Sequence, residues 1–190
     1  MLTPEGRARR EAQDERIKKR IEGFRVEQRE LLDELAAAGV SLEIVNDLPN
    51  WPSSDYVHTL PILARHLHRP YSQGTLASLA RSMGMKEAAP YWDELVTLYR
   101  QQPEKSDPDV SDFGMGLAVA ISASVPPSRL DELVELIKTP GLPNRVLLLG
   151  PIQRRRSRNR KYAELIEELR HDPVFSREIQ RWKGMRRKSH

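Results

Sequence analysis

Two stretches of the chain have nearly the same sequence: Trp92–Arg100 is WDELVTLYR and Leu130–Lys138 is LDELVELIK. Each follows one template: an apolar residue, a leucine three positions later, a small or β-branched residue next, and a further apolar residue near the end. This spacing predicts an amphipathic helix. The same template fits Leu60–Leu67 (LPILARHL) and Tyr162–Leu169 (YAELIEEL), so its starting positions are 32, 38 and 32 residues apart.

Each copy is followed by a break that contains proline and then by a second apolar segment. Because a helical hairpin cannot bury its apolar face alone, the recurrence predicts hairpins that stack on copies of themselves. The sequence contains almost no strand pattern, so we expect an all-α fold. The second helices are predicted at Ser72–Met83, Asp109–Ser124, Pro143–Ile152 and Pro173–Lys183. Gly150-Pro151 is expected to cut the third of them short.

A long N-terminal helix is predicted to begin at Pro4, with Thr3 as its cap, and to end at Gly39. Its apolar stripe has heptad spacing and spans less than three heptads, so the helix either caps the first hairpin or dimerises as a coiled coil. The shortness of the stripe favours the cap. The stripe consists of Ile17, Ile21, Phe24, Leu31 and Leu35, and Gln28 occupies the remaining position of the heptad pattern.

These elements divide the chain into four parts. We expect a charged helix at residues 1–39, a connector at 40–54, a helical-repeat domain at 55–183 and a basic disordered tail at 184–190.

Composition and charge restrict the class of protein. The 190 residues include no cysteine, which excludes disulfides and cysteine-bound metals. No signal peptide or membrane span is recognisable, so a soluble, cytoplasmic protein is expected. The net charge of +4 conceals an acidic body: residues 30–152 carry −7, whereas residues 1–29 carry +3 and residues 153–190 carry +8.

Three segments resemble HEAT repeats: LPILARHLHRPYSQGTLASLARSMG, AAPYWDELVTLYR and LDELVELIKTPGLPNRVLLLGPI. The lead-in ELLDELAAAGVSLEIVNDL is similar to the start of small bacterial HEAT-repeat proteins. The resemblance covers about residues 30–183. It implies a short right-handed α-solenoid that binds a partner on a concave surface built by the second helices.

The strongest local feature is QRRRSRNRK at residues 153–161. Clustered guanidinium groups suit phosphate contacts, and an acidic protein surface would serve equally well. The alternative is a solvated loop that offsets the acidic body. The candidate binding residues are Arg154, Arg155, Arg156, Arg158, Arg160 and Lys161.

Catalytic and metal-binding signatures are missing from the sequence. No serine lies in a Gly-x-Ser-x-Gly elbow, and no P-loop or cofactor fingerprint is present. His58, His66 and His68 lack a neighbouring ligand set, so no metal site is predicted. We therefore expect a protein that is not an enzyme and needs no cofactor.

The expected function is a protein–protein interaction scaffold, with non-sequence-specific nucleic-acid binding through the basic loop and tail as the alternative. Neither a membrane partner nor a small-molecule substrate is indicated, and the oligomeric state stays open. Residues near the starts of the second helices are candidates for the concave surface: Gln73, Asp109, Asp112, Arg145 and Arg177.

Overall fold

A computed structural model describes residues 3–103 and 112–186, and within these residues it is built from helices without any strand. The prediction of an all-α fold is therefore confirmed for the described part of the chain. The α-helices are α1 (Pro4–Glu27), α2 (Arg29–Ala37), α3 (Ser53–Tyr56), α4 (Leu60–His66), α5 (Gln73–Ser82), α6 (Trp92–Arg100), α7 (Phe113–Ser124), α8 (Leu130–Lys138), α9 (Leu149–Arg155), α10 (Arg160–Leu169) and α11 (Pro173–Arg186). Short 3-10 helices cover Val45–Asn50, Val57–Thr59, Lys86–Tyr91, Pro127–Arg129 and Arg145–Leu148.

The N-terminal helix is interrupted, contrary to the prediction of one helix ending at Gly39. Its start is as predicted, since the Thr3 hydroxyl accepts a hydrogen bond of 3.2 Å from the Gly6 N–H. The interruption falls at Gln28, whose fully buried side chain bonds to other segments. Gly39 ends α2 with a φ of +89°, a left-handed conformation that suits glycine.

The two parts of this N-terminal region differ in burial. All side chains from Arg9 to Arg20 are exposed, including Ile17 at 48%. Leu31 and Leu35 in α2 are completely buried. Packing against the body of the protein thus begins near the end of α1, and the coiled-coil alternative for the exposed part stays a prediction.

Helices pair along the chain as the repeat predicts. We call α2, α4, α6, α8 and α10 the first helices; α4 contacts α5, α6 contacts α7, α8 contacts α9 and α10 contacts α11. The second elements also contact one another in chain order, and we call them the second-helix layer. This layer consists of the 3-10 helix Val45–Asn50, α5, α7, the 3-10 helix Arg145–Leu148 with α9, and α11.

One apolar core runs through all these pairs. Leu63, Leu95, Leu133 and Leu165 occupy the same template position in the four copies, and each is at most 5% exposed. All four belong to a single cluster of buried residues that extends from Leu31 to Trp182. The four leucines therefore all lie in one continuous core.

The closest helix contact of the layer lies between α5 and α7. A Cβ placed on Gly116 would lie 2.5 Å from the Ala77 carbonyl oxygen and 3.0 Å from the Ala80 Cβ. Only glycine allows the two backbones to approach this closely. Gly116 thus serves the packing of α7 on α5, whereas Gly114 faces the side chain of Pro143.

Adjacent first helices are joined by exposed ion pairs, which we call the ion-pair ladder. These ion pairs bridge α2 to α4, α4 to α6, α6 to α8, and α8 to α10. A residue up to three positions beyond the end of a helix is assigned to that helix here. They are Arg65–Glu34, Arg69–Glu30 (2.6 Å), His68–Glu94 (2.5 Å), Arg100–Glu132 (3.1 Å), Arg129–Asp93 (2.7 Å), Lys138–Glu168 (3.0 Å) and Lys161–Asp131 (2.7 Å).

The second helix of the third predicted pair, α9, differs from its prediction. Gly150-Pro151 was expected to end it, but α9 begins at Leu149 and continues to Arg155. Proline is tolerated in a first helical turn because its missing N–H would have no intrahelical partner there. The segment before it, Arg145–Leu148, forms a 3-10 helix.

Candidate functional site

The predicted basic loop is shorter than residues 153–161 and its cations are divided among three elements. Arg154 and Arg155 lie in the last turn of α9, and Arg160 and Lys161 lie in the first turn of α10. Cations at the C-terminal end of a helix are favoured by the helix dipole. Position in α9 alone therefore explains part of the arginine cluster.

Four of the six cations have partners within the chain. Arg155 Nη1 donates to the Pro151 carbonyl at 3.2 Å, and the Arg156 guanidinium lies 5.5 Å from the centre of the Trp182 ring. Arg160 pairs with Glu164 at 2.7 Å. The hydrogen bond that Lys161 donates to Asp131 raises the pKa of this lysine. The six residues are thus not a single free basic patch.

Arg154 and Arg158 are different, because both are exposed and neither has a carboxylate partner among the described residues. Arg158 lies in the turn between α9 and α10. Arg154 borders a depression on the second-helix layer.

We call this depression the second-helix groove. It has a volume of about 420 Å³ and is lined by three parts of the chain: the segment that follows α5, the C-terminal half of α7, and the segment from Leu147 to α9. Its lining residues are Gly84, Met85, Lys86, Val119, Ser122, Ala123, Leu147 and Arg154.

The floor of the groove is uncharged. It is formed by α7, whose twelve residues FGMGLAVAISAS include no charged side chain. Ser122 and Ala123 lie about one helical turn after Val119, and these three side chains face outward. Leu117, Ala118 and Ile121 are buried on the other sides of the helix. The floor is therefore aliphatic, with one hydroxyl.

Two cations flank this floor. An ideal Cβ on Gly150 would lie 3.4 Å from Arg154 Nη1 and 3.5 Å from Ser122 Oγ, so the Arg154 guanidinium lies beside α7. On the other side Lys86 is exposed, and its ammonium lies 3.6 Å from Glu87. Arg154 is the cation of the groove that lacks a carboxylate in the described chain.

The predicted concave residues lie mainly at the opposite ends of the second helices. Asp112 caps α7 by accepting a 2.8 Å hydrogen bond from the Met115 N–H, and Gln73 accepts one of 3.3 Å from the Phe113 N–H. Arg145 donates to the Ile137 carbonyl at 2.9 Å and lies over the Phe175 ring. Arg177 is exposed on α11. Asp109 lies outside the described residues.

Three of these candidates thus support the fold, and of the groove residues only Arg154 was among the candidates predicted from the sequence. The signal that could have revealed them is the absence of charge from the whole of α7. Exposed positions of a surface helix normally carry polar or charged residues.

His58, His66 and His68 each contact another residue of the chain. His58 Nε2 lies 2.9 Å from the Ala38 carbonyl, and His68 pairs with Glu94. His66 is completely buried, with Nδ1 2.7 Å from the Tyr71 hydroxyl and Nε2 3.4 Å from Glu34 Oε1. Over residues 3–103 and 112–186 no group of three His, Cys, Asp or Glu side chains could hold a metal ion.

Two other ionisable groups have shifted pKa values for structural reasons. Burial raises the pKa of Tyr99, whose hydroxyl donates to the Pro143 carbonyl at 2.5 Å. Partial burial opposes ionisation of Glu34, but a hydrogen bond from Arg65 and the proximity of His66 outweigh it and lower the pKa of this carboxylate. Both groups hold neighbouring elements together.

None of the described helices is long and apolar enough to cross a membrane. The chain matches no protein-family model, and no curated protein or solved structure is significantly similar to it.

Proposed function

We propose that the chain is a non-enzymatic scaffold, a short right-handed α-solenoid of HEAT-like hairpins that binds a protein partner on its second-helix layer. The observation that carries this proposal is the order of contacts in that layer. Each second element packs on the next one along the chain, which is the arrangement that gives helical-repeat proteins an extended binding surface.

The composition of the layer favours a protein partner. Its centre is the uncharged floor of the second-helix groove, made of Val119, Ser122, Ala123 and Leu147. Apolar surface surrounded by polar groups is typical of a protein-binding site. Nucleic-acid binding through the basic loop has less support, since four of its six cations already have partners.

A non-enzymatic role agrees with where the ionisable groups lie. The combination that most resembles catalytic machinery, His66 with Tyr71 and Glu34, has its imidazole fully buried between α2 and α4. A substrate would have no access to that imidazole. The three side chains instead join two helices.

The test compares two identical substitutions on opposite surfaces. Ala123→Glu places a charge on the exposed floor of the groove, and Ala163→Glu places the same charge on an exposed position of first helix α10. Each tagged protein is used to capture partners from an extract of its native cell, and captured proteins are quantified by mass spectrometry. We expect a partner that wild type and Ala163→Glu retain and that Ala123→Glu loses.

Two results would contradict the proposal. If no protein is enriched above the empty matrix by wild type, the scaffold function is wrong. If a partner is lost with Ala163→Glu and kept with Ala123→Glu, the binding surface lies on the first helices.

A further inference from the structure

We propose that the second-helix groove takes an acidic peptide segment, with an aliphatic side chain on Val119 and Ala123 and a carboxylate on Arg154. This inference rests on the proposed scaffold function and names the chemistry of the partner.

The charge distribution is the first support. Of the eleven carboxylates on the first helices α2, α6, α8 and α10, seven belong to the ion-pair ladder. The groove has the opposite sign, since its charged lining residues are Lys86 and Arg154. Arg154 has no carboxylate partner in the described chain, so a bound carboxylate would supply the one that is missing.

The size and floor of the groove are the second support. A volume of about 420 Å³ accommodates a few side chains of a peptide and is within the range of small binding sites. The aliphatic surface of Val119, Ala123 and Leu147 offers contact to a leucine-like side chain, and the Ser122 hydroxyl offers a hydrogen bond. An acidic segment without apolar residues would leave this floor uncovered.

The same features disfavour a nucleic acid. Single-stranded binding needs aromatic side chains on which bases stack, and the lining of the groove includes none. Phosphate binding needs a row of free cations along the backbone path. The groove provides one cation that has no carboxylate partner among the described residues, and a lysine close to Glu87.

The experiment uses a defined probe and two variants of equal net charge. A fluorescein-labelled peptide of twelve residues, alternating Asp or Glu with Leu, is titrated with the full chain and followed by fluorescence anisotropy. Arg154→Glu reverses the free cation of the groove. Arg158→Glu reverses the exposed arginine in the turn after α9, which also lacks a carboxylate in the part of the chain that the structure describes, and is the matched control.

We expect the peptide to bind wild type, Arg154→Glu to weaken binding at least tenfold, and Arg158→Glu to change it less than twofold. A peptide of the same charge with Ser in place of Leu is expected to bind at least fivefold more weakly than the Leu peptide. Circular dichroism confirms that both variants are folded, which the exposure of both side chains predicts.

Three outcomes would overturn the inference. The labelled peptide does not bind, or it binds equally to both arginine variants, or a twelve-residue oligo(dT) binds more tightly than the peptide and depends on Arg154. The scaffold function is judged separately: it survives the first two outcomes if Ala123→Glu still loses a captured partner that Ala163→Glu keeps.

Discussion

The first helices and the second-helix layer are joined along the chain by different interactions. Between first helices, exposed ion pairs such as Arg100–Glu132 and Arg129–Asp93 bridge one helix to the next. In the layer, α5 and α7 meet through glycine and alanine, and α7 has no charged residue at all. Exposed ion pairs contribute about 0–1 kcal/mol each, whereas close packing is intolerant of small changes in volume.

This difference indicates which surface of the proposed scaffold is available to a partner. The charges of the first helices are largely neutralised by each other, and their side chains are committed to the ladder. In the layer, the backbones of α5 and α7 pack closely against each other. The outward-facing side chains of α7 carry no charge and form no ion pairs. Arg154, which has no carboxylate partner among the described residues, lies beside these uncharged positions.

The largest effect is expected from disturbing the closest contact of the layer. Gly116→Ala places a Cβ 2.5 Å from the Ala77 carbonyl oxygen, so α5 and α7 must move apart. We expect a loss of about 3 kcal/mol in the free energy of unfolding, even though alanine has the higher helix propensity. Urea unfolding followed by circular dichroism measures the loss.

The control for this variant is Gly23→Ala in α1. No atom outside its own helix lies within 4 Å of the Cβ that would be added there. This substitution should be neutral or stabilise the protein by up to about 1 kcal/mol. Equal stability of the two variants would contradict the close packing of α5 on α7.

A smaller loss is expected at the N-terminal end of the layer, which is joined by buried hydrogen bonds. Gln28 is fully buried; its Oε1 accepts from the Val45 N–H at 2.8 Å, and its Nε2 donates to Asn46 at 2.9 Å and to Thr75 at 2.8 Å. Gln28→Ala leaves these partners unsatisfied, and we expect the free energy of unfolding to fall by about 2 kcal/mol. Thermal and urea unfolding measure it.

The matched control is Gln13→Ala, because Gln13 is an exposed glutamine in α1. Its replacement should change the stability by less than about 0.5 kcal/mol. If Gln28→Ala were equally harmless, the polar contacts among α2, the 3-10 helix Val45–Asn50 and α5 would not contribute to folding.

The sequence was sufficient to predict the helical pairs because their periodicity is local. The template fixed the position of Leu95 and Leu133, and helices α6 and α8 start where the quoted stretches start. The interruption at Gln28 could not be predicted, since it depends on partners 17, 18 and 47 residues away.

The candidate site was harder to predict than the fold. Arg154 was among the predicted residues, together with five neighbours of which four have partners. Arg155 and Arg160 are bound locally, each by a residue four positions away, whereas Arg156 and Lys161 contact Trp182 and Asp131, which are distant in sequence. Because the last two contacts depend on the tertiary fold, the charge run indicated a region and not a site.

The smallest effect is expected from the ion-pair ladder, and it should depend on pH. Burial opposes ionisation of Glu34, but Arg65 and His66 lower its pKa below the ordinary value of 4.5. A carboxylate with a lowered pKa stabilises the fold above its unfolded pKa, and this contribution is lost as the pH falls through the folded value. Glu34→Gln should therefore be slightly less stable than wild type at pH 7, with the difference vanishing as the pH falls below 4.5 and shrinking in high salt.

Asp33→Asn, an exposed position of the same helix with no ion-pair partner in the described chain, should show neither trend. Urea unfolding at several pH values and salt concentrations makes the comparison, and a pH-independent difference for Glu34→Gln would mean that this pair does not join α2 to α4.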